Sequence, residues 1–447
     1  MAIEAPVPLL VGEVSVDVTV TPRGQEQKLR LGGIAHAARG FWASGKPFAV
    51  AAVVPHYLED SARRYFASFG CSDFCTIGYI SGAPNVTLVF DPTEVADQEY
   101  DALLRDEKSI ALRPQASIAI AQNYTDILIF PGSFDLGQVC NLLDVNARLH
   151  IDVAYDVGGV DTLRALGRSI STIFMSTSST LFVKIGSSGI DELARNFAAL
   201  DPDVVILKEN RGGSRLRDCK TAATHSLPAQ LSTTVNSVGV GDVFAATYIT
   251  HLGSGPLEAG MRATYASSAY AQTTDPDAFA AMVKRDAHLS LQEMIDLGGT
   301  ALPWELRQRA DIYLAAPDFV RADRRAIQRA VSSLQYHNFK VRRPVQENGE
   351  LPINSDALTL DKTYRMDVAL LDECKLLFAV PTGKDPGTLV EIGLAIARRI
   401  PVVVYDPDRE CANTMVIAGS DCYSADLDAC LNAVFVLLSK TERVSDG

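Results

Sequence analysis

The chain of 447 residues has 54 acidic and 41 basic side chains, a formal net charge of −13, and 47% hydrophobic residues. At about 100–200 residues per domain, this length predicts two or three domains, and the ordinary hydrophobic fraction excludes a largely disordered chain. An acidic surface repels phosphate backbones and anionic lipids, so we expect neither nucleic acid nor a membrane as a partner.

The cysteines and the first residues of the chain carry no sign of export. The eight cysteines are irregularly spaced and form no C-x-x-C pair, which fits neither a disulfide framework nor a zinc site. Residues 1–10 lack a basic segment and a cleavage site, and no apolar run approaches about 18 residues. We therefore expect a cytoplasmic protein with free thiols and no metal bound by its own site residues.

Apolar runs rich in β-branched residues alternate with helical patterns along the first part of the chain. Strands are predicted at 9–20, 48–54, 86–90, 127–130, 149–153, 173–176 and 204–208, and helices at 33–44, 58–69, 191–200 and, as one long stretch, 242–271. This alternation predicts a mainly parallel sheet covered by helices on both faces.

A polar break at residues 273–277 precedes a charged stretch without strand signal, and a second series of strands and helices follows. Strands are predicted at 312–315, 376–380 and 402–405, and helices at 321–336, 387–398 and 427–439. We therefore predict a first domain at 1–275, a helical linker at 276–309 and a second α/β domain at 310–447.

The clearest motif of the first domain is a glycine-rich loop that ends in an aspartate at the start of a helix. Gly239 and Gly241 precede Asp242. Glycines let backbone N–H groups close around an anion, and a helix N-terminus adds a positive dipole end. A carboxylate there can accept the proton of a hydroxyl that attacks a phosphoryl group. The pattern alone equally allows a structural loop in which the aspartate caps the helix.

Three further segments precede this loop: Gly12 to Asp17, Gly32 to His36, and Ile206 to Gly213. Their order resembles the PfkB/ribokinase family over residues 7–275. The resemblance implies a doubly wound α/β fold with a small β lid, and phosphorylation of a sugar or nucleoside with ATP and Mg²⁺. The roles it implies are a catalytic base (Asp242), an anion hole (Gly239, Gly241) and substrate-binding residues (Asp17, Gly32, Gly33, His36).

The chain departs from this family at three places. Asn236 stands where the family motif has aspartate, and His36 stands where it has asparagine. Gly186 and Gly189 align with the asparagine and glutamate of a Lys-x-Asn-x-x-Glu segment, so oxygen ligands that a hard cation prefers are lost. A weak kinase, a kinase with altered metal handling and a nucleoside-sensing module all remain open.

The second domain has a group of carboxylates around one predicted loop. Asp385, Thr388 and Glu391 flank the start of a helix, and Tyr364 and Asp367 lie about one turn apart on another. Ligands of open α/β sheets bind at the carboxyl ends of the strands, where this loop must lie. Acidic residues are also common in a first helical turn for purely structural reasons, which is the alternative.

These residues, with Ile312 to Pro317 and the Glu391-x-Gly393-x-Ala395 helix, resemble the nucleoside 2-deoxyribosyltransferase family over nearly the whole domain. The resemblance implies a flavodoxin-like or Rossmann-like α/β domain and a glycosyl-enzyme formed on Glu391. It also implies that the protein is a homo-oligomer. The further roles it implies are orientation of the nucleophile (Tyr313), protonation of the departing base (Asp367, Asp385) and substrate binding (Tyr364, Gly387, Thr388).

The two resemblances together predict a bifunctional enzyme of nucleoside salvage that acts on a small-molecule nucleoside or sugar. Asp385 stands where related monophosphate N-hydrolases place a serine for the 5′-phosphate, so an unphosphorylated nucleoside is favoured. The alternatives are one active glycosyl domain joined to a kinase-like binding module, and a non-catalytic nucleotide-binding protein. The sequence leaves open the base, the sugar, the order of the two reactions, and hydrolysis against transfer.

Overall fold

The structure is a computed structural model that describes residues 7–21, 27–97, 99–116, 124–153, 157–185, 189–318, 324–352 and 354–445. Contacts divide the chain into two units. The first comprises Met1–Thr93 and Gln98–Ala301, and the second comprises Glu94–Asp97 and Leu302–Gly447.

The first unit is built on a large, mostly parallel sheet. Its strands are β1 Leu9–Thr19, β2 Lys28–Gly33, β3 Phe48–Pro55, β4 Cys71–Ser81, β5 Val86–Val89, β6 Tyr100–Ala102, β7 Ser109–Leu112, β8 Asp126–Ile129, β9 Arg148–Val153, β10 Thr172–Ser176, β11 Val204–Lys208, β12 Ser214–Asp218 and β13 Thr224–Leu227. The order is β13-β12-β11-β10-β9-β8-β1-β3-β4-β7, and it is parallel from β11 to β4. The chain winds outward from β1 in both directions, as the sequence predicted.

A smaller group of strands leaves this sheet from the end of β1. There β2 pairs with β1 in antiparallel fashion, β5 pairs with β1 in parallel, and β6 pairs with β5. This group is the small β lid expected from the family resemblance. It places Asp17 of β1 directly opposite Arg30 of β2.

Helices of the first unit are α1 Ile34–Ala43, α2 Glu59–Ser68, α3 Leu136–Cys140, α4 Val160–Arg164, α5 Thr180–Ile185, α6 Ile190–Phe197, α7 Val240–Thr250, α8 Pro256–Ala271, α9 Pro276–Asp286 and α10 Leu291–Leu297. The expected single helix at 242–271 is two helices. Gly255, at φ 89°, and Pro256, which starts α8, separate them because neither residue type continues a helix well. The core joins α1, α7 and α8 through Phe41, Tyr248 and Met261.

The second unit is a five-stranded parallel sheet with order β15-β14-β16-β17-β18. Its strands are β14 Asp311–Ala315, β15 Lys340–Arg342, β16 Leu376–Ala379, β17 Val402–Tyr405 and β18 Cys422–Ser424. Its helices are α11 Trp304–Arg307, α12 Arg325–Tyr336, α13 Pro344–Asn348, α14 Ala357–Glu373, α15 Pro386–Ala397, α16 Thr414–Gly419 and α17 Leu427–Ser445. Relative to its own first strand the order is 2-1-3-4-5, which confirms the flavodoxin-like expectation.

The order in which successive strands join the second sheet reverses at β14, since β15 lies on one side of β14 and β16 on the other. A crevice at the carboxyl ends of the strands is expected at such a switch point. Among the helices of the described residues, none is both long and apolar enough to cross a bilayer.

Candidate active sites

The glycine-rich loop of the first unit ends where α7 begins. Gly239 is the residue before the helix, and its φ of 81° lies in the left-handed region that favours glycine. A Cβ on Gly239 would lie 2.1 Å from Cγ of His36, so a side chain there would collide with the imidazole. Hydrogen bonds occupy the N–H groups of Val238, Val240 and Asp242, whereas those of Gly239 and Gly241 have no acceptor within the described residues.

Asp242 lies at the start of α7 and is partly buried. Burial and then the charge of Asp152 raise the pKa of Asp242 to about 7, and Lys208 opposes them. Lys208 donates to the buried Asp152 carboxylate at 2.6 Å, and its Nζ lies 3.5 Å from the carbonyl oxygen of Gly241. A carboxyl with this pKa can accept a proton at neutral pH. Asp152 and Lys208 were not predicted as site residues from the sequence, although both stand near the carboxyl ends of predicted strands.

Asp17 is buried and faces His36, whose Nε2 lies 2.8 Å from Oδ2 of Asp17. Burial lowers the pKa of His36 to about 4, so the ring is neutral and Nε2 carries the proton that it donates to Asp17. Nδ1 then accepts from Tyr270 at 2.7 Å and from Arg39 at 3.0 Å. Although burial opposes it, the bond from His36 holds the pKa of Asp17 below its usual value.

His36 is therefore a buried hydrogen-bond partner of Asp17, since both ring nitrogens of His36 are hydrogen-bonded within the protein and the residue is only 2% exposed. The two glycines predicted beside them occupy the end of β2. A Cβ on Gly32 would lie 2.0 Å from Oδ1 of Asp17, so its absence allows the carboxylate to sit against the backbone of β2. Gly33 is the residue before α1 and has a φ of 58°.

The positions at which the chain departs from the PfkB/ribokinase pattern lie on separate elements. Lys184 is near the end of α5, Gly186 falls outside the described residues, and Gly189 directly precedes α6. Asn236 is buried in the loop before α7, where its Oδ1 accepts from Arg30 at 2.7 Å and from the N–H of Val238 at 2.9 Å. Its amide therefore fixes the shape of the loop.

In the second unit, Tyr313 of β14 donates a hydrogen bond of 2.6 Å to Oε1 of Glu391 on α15. Tyr313 is fully buried on β14, an interior strand of the sheet, and this burial fixes the orientation of its hydroxyl. Burial is the largest cause that raises the pKa of Glu391 to about 7, and the charges of Asp367 and Asp385 add to it, whereas the bond from Tyr313 lowers it. Glu391 is therefore an oriented carboxyl beside the switch point of the sheet, with ionised and neutral forms both populated near neutral pH.

Asp367 lies on α14, half-buried, and its Oδ1 accepts from Nδ2 of Asn348 at 2.7 Å. Burial raises the pKa of Asp367, and the amide of Asn348 opposes that rise. A carboxyl whose pKa is raised is the better proton donor at neutral pH. Asn348, the last residue of α13, was not identified from the sequence because nothing there joins it to a residue 19 positions away.

Asp385 precedes α15 as its N-cap. Its Oδ2 accepts from the N–H and the hydroxyl of Thr388 at 2.7 and 2.9 Å. Thr388 is 1% exposed, so its side chain serves this cap, whereas Gly387 is exposed at the first turn of the helix. Tyr364 lies on α14 one turn before Asp367 and is 54% exposed. Asp385 acts on Glu391 through its charge, and no bond joins the two residues.

Residues 312–434 match the family model of the nucleoside 2-deoxyribosyltransferases. The second unit therefore carries a nucleoside 2-deoxyribosyltransferase domain. The matched segment contains the Tyr313–Glu391 pair, Asp367 and Asp385, so Glu391 and the residues that act on it all belong to that domain. The sequence matches no curated protein.

Solved structures that align with the chain include ribokinases and a nucleoside kinase, at low sequence identity. A ribokinase from Giardia lamblia is 14% identical, covers 66% of this chain and 99% of its own, and has a TM-score of 0.47. A putative ribokinase from Agrobacterium tumefaciens is 14% identical over 64% of this chain and 99% of its own, with a TM-score of 0.49. A Burkholderia thailandensis nucleoside kinase in complex with inosine is 15% identical over 66% and 99%, with a TM-score of 0.46.

Proposed function

We propose that the chain is a bifunctional enzyme whose second unit breaks the N-glycosidic bond of a nucleoside. Its first unit phosphorylates a sugar or nucleoside with ATP. The observation that carries the proposal is the 2.6 Å hydrogen bond from the buried Tyr313 to Glu391, within the segment that matches the nucleoside 2-deoxyribosyltransferase family.

In this proposal the ionised Glu391 attacks the anomeric carbon of the sugar and forms a glycosyl ester. The bond from that carbon to the base nitrogen breaks, and the base leaves with a proton from Asp367, whose raised pKa suits a donor. Water then hydrolyses the ester, or a second base accepts the sugar. Tyr313 holds the attacking oxygen in place through both steps.

The substrate proposed for this unit is an unphosphorylated nucleoside. Asp385 carries its carboxylate at the first turn of α15, and it raises the pKa of Glu391 after burial and Asp367. A 5′-phosphate brought to that turn would meet this negative charge. A neutral 5′-hydroxyl would meet a hydrogen-bond acceptor instead.

For the first unit, Asp242 would accept the proton of the attacking hydroxyl, and Asp17 would bind substrate hydroxyls. The loop fits a phosphate group because the N–H groups of Gly239 and Gly241 are free within the described residues and α7 begins there. ATP would supply the phosphoryl group that is transferred. The described residues include no cluster of three metal-ligating side chains, so we propose that Mg²⁺ enters on the phosphates of the nucleotide.

The proposed order is cleavage first and phosphorylation of the released sugar second, because Asp385 disfavours a phosphorylated substrate in the second unit. The alternative is that the first unit only binds a nucleotide or nucleoside. The glycines at positions 186 and 189 favour that alternative, because they bring no side-chain oxygen to a metal.

The test is release of free base from ribonucleosides, 2′-deoxynucleosides and their 5′-monophosphates, with and without ATP and Mg²⁺. We expect release from an unphosphorylated nucleoside without ATP, and loss of release in Glu391→Ala. Glu350→Ala, which removes an exposed carboxylate of the same unit, is the matched control. Release that needs ATP and is lost in Asp242→Asn would place phosphorylation first and overturn the order proposed here.

A further inference from the structure

Arg30 links the β lid of the first unit to the glycine-rich loop. It lies on β2 opposite Asp17, and its guanidinium crosses to the loop, where it donates to Oδ1 of Asn236 at 2.7 Å and to the carbonyl of Val238 at 3.0 Å. Its Nε is buried without a hydrogen-bond partner, and the side chain as a whole is partly exposed. Donors of this guanidinium therefore remain for a ligand.

Both acceptors of Arg30 are neutral, one an amide and one a backbone carbonyl. Within the described part of the chain, no carboxylate lies within ion-pair distance of its guanidinium. Lys208, another cation near this loop, is already paired with Asp152 at 2.6 Å. An aspartate at position 236 would neutralise Arg30, and the asparagine present there anchors the side chain without cancelling its charge.

Arg30 also lies near both acidic residues of the proposed kinase site. After burial and the contacts of His36, the charge of Arg30 helps to lower the pKa of Asp17. The same charge opposes the rise in the pKa of Asp242, after burial and nearer charges. A guanidinium offers several donors in a planar fork that matches the oxygens of a phosphate group. The loop glycines beside it offer free backbone N–H groups to the same kind of anion.

We infer that Arg30 is an anion-binding residue that holds a phosphate group of the ligand between β2 and the loop of residues 236–241. This phosphate belongs either to the nucleotide or to a phosphorylated substrate, and the same contacts serve both. The inference rests on the proposal that the first unit binds a phosphate-bearing ligand. It does not require that the unit transfers a phosphoryl group.

The experiment is calorimetric titration of the full-length chain with three probes: inorganic phosphate, ribose 5-phosphate, and an ATP analogue with a methylene group between its β- and γ-phosphates, the last with Mg²⁺. Arg30→Gln should weaken the binding of at least one probe about tenfold or more, as expected for loss of a charged hydrogen-bond donor. Lys28→Gln removes the same charge from an exposed position of β2, and it should change affinity less than about twofold.

Asn236→Asp provides a second variant that keeps Arg30 and its anchor to the loop. Because the new carboxylate would pair with the guanidinium, we expect weaker binding of the same probe, although the loop is held at least as firmly. If Arg30 only anchored the loop, this variant would bind as the wild type does. Thermal unfolding of each variant checks that the first unit remains folded.

The probe that responds identifies the source of the phosphate. Weaker binding of the ATP analogue alone assigns Arg30 to the nucleotide, and weaker binding of ribose 5-phosphate assigns it to a phosphate group carried by the sugar. The inference is overturned if no probe binds the wild type, or if Arg30→Gln weakens binding no more than Lys28→Gln does. Binding is measured without turnover, so an inactive kinase unit and a wrong role for Arg30 give different results.

Discussion

Asp242 in the first unit and Glu391 in the second are both carboxyls whose pKa is raised to about 7, mainly by burial. They differ in the group that opposes the rise. For Asp242, the opposing group is the positive charge of Lys208, which also pairs with Asp152. For Glu391, the opposing group is the neutral hydroxyl of Tyr313, which donates a hydrogen bond to the carboxylate. The first site is therefore balanced by charges and the second by one oriented hydroxyl, so perturbations should affect them differently.

Of the variants considered, Asp242→Asn should produce the largest difference between the activities of the two units. Loss of the proton acceptor should lower ATP-dependent phosphorylation by about 10²–10⁴-fold, the usual contribution of general base catalysis. Base release should stay at the wild-type rate. Phosphorylated product is measured over sugars and nucleosides, with Asp60→Asn, an exposed carboxylate on α2, as the control. Equal phosphorylation by Asp242→Asn and wild type would remove Asp242 from the reaction.

Lys208→Met tests whether the first site depends on a charge pair. It leaves the buried Asp152 without its cation, so the first unit should lose about 3 kcal/mol of stability, as when one partner of a buried pair is removed. The pKa of Asp242 should rise, because Lys208 lowers it, and any turnover that remains should shift to higher pH. Urea denaturation and the pH profile are the measurements. An unchanged profile would show that Lys208 has no influence on Asp242.

Tyr313→Phe tests whether the second site depends on one hydrogen bond. Glu391 must be ionised to attack, so kcat/KM for base release should rise with pH to a midpoint near 7. The tyrosine stabilises the ionised form, so its removal should move that midpoint to higher pH and lower kcat/KM at neutral pH about tenfold. A midpoint that moves to lower pH would contradict this role of Tyr313.

Asn348→Ala should give the smallest effect. The amide of Asn348 lowers the pKa of Asp367, so its loss should raise that pKa and extend the alkaline limb of base release to higher pH. The rate of base release at neutral pH should change about threefold, which corresponds to the free energy of one neutral hydrogen bond. A variant that shifts only the acidic limb would place the influence of Asn348 on Glu391 instead.

The sequence predicted most of the parallel strands of both units, because buried strands such as β3 and β16 are nearly continuous apolar runs. It missed β4, which is 11 residues long but mixes polar and apolar residues along its length. It did not predict β6, β7 or β15, which are short and only partly buried, so their residues carry little alternation. The break between α7 and α8 was missed although Gly255 and Pro256 mark it, since the apolar pattern continues on both sides.

At the sites, the motif residues were predictable, and the family resemblance also gave Tyr313 as the partner of Glu391, but the other partners were not predicted. Asp242 and Glu391 stand in local patterns that a short window contains. Arg30 and Asn236 are 206 positions apart, and Asn348 reaches Asp367 from another helix. Such pairs form only when distant strands and helices pack together, so a short stretch of sequence does not reveal them. The role of His36 at the substrate stays a prediction, and the structure adds that its ring nitrogens bond to Asp17, Tyr270 and Arg39.

The close approach of Gly239 to His36 also couples two positions that are far apart in the chain. A methyl group at 239 would overlap the imidazole at 2.1 Å, so any larger residue there requires a smaller one at 36. Position 36 in turn sets the hydrogen bond to Asp17. An asparagine at position 36 would keep the Cβ and Cγ atoms that crowd position 239, so glycine would still be required there, whereas the ring nitrogen that now donates to Asp17 would be lost.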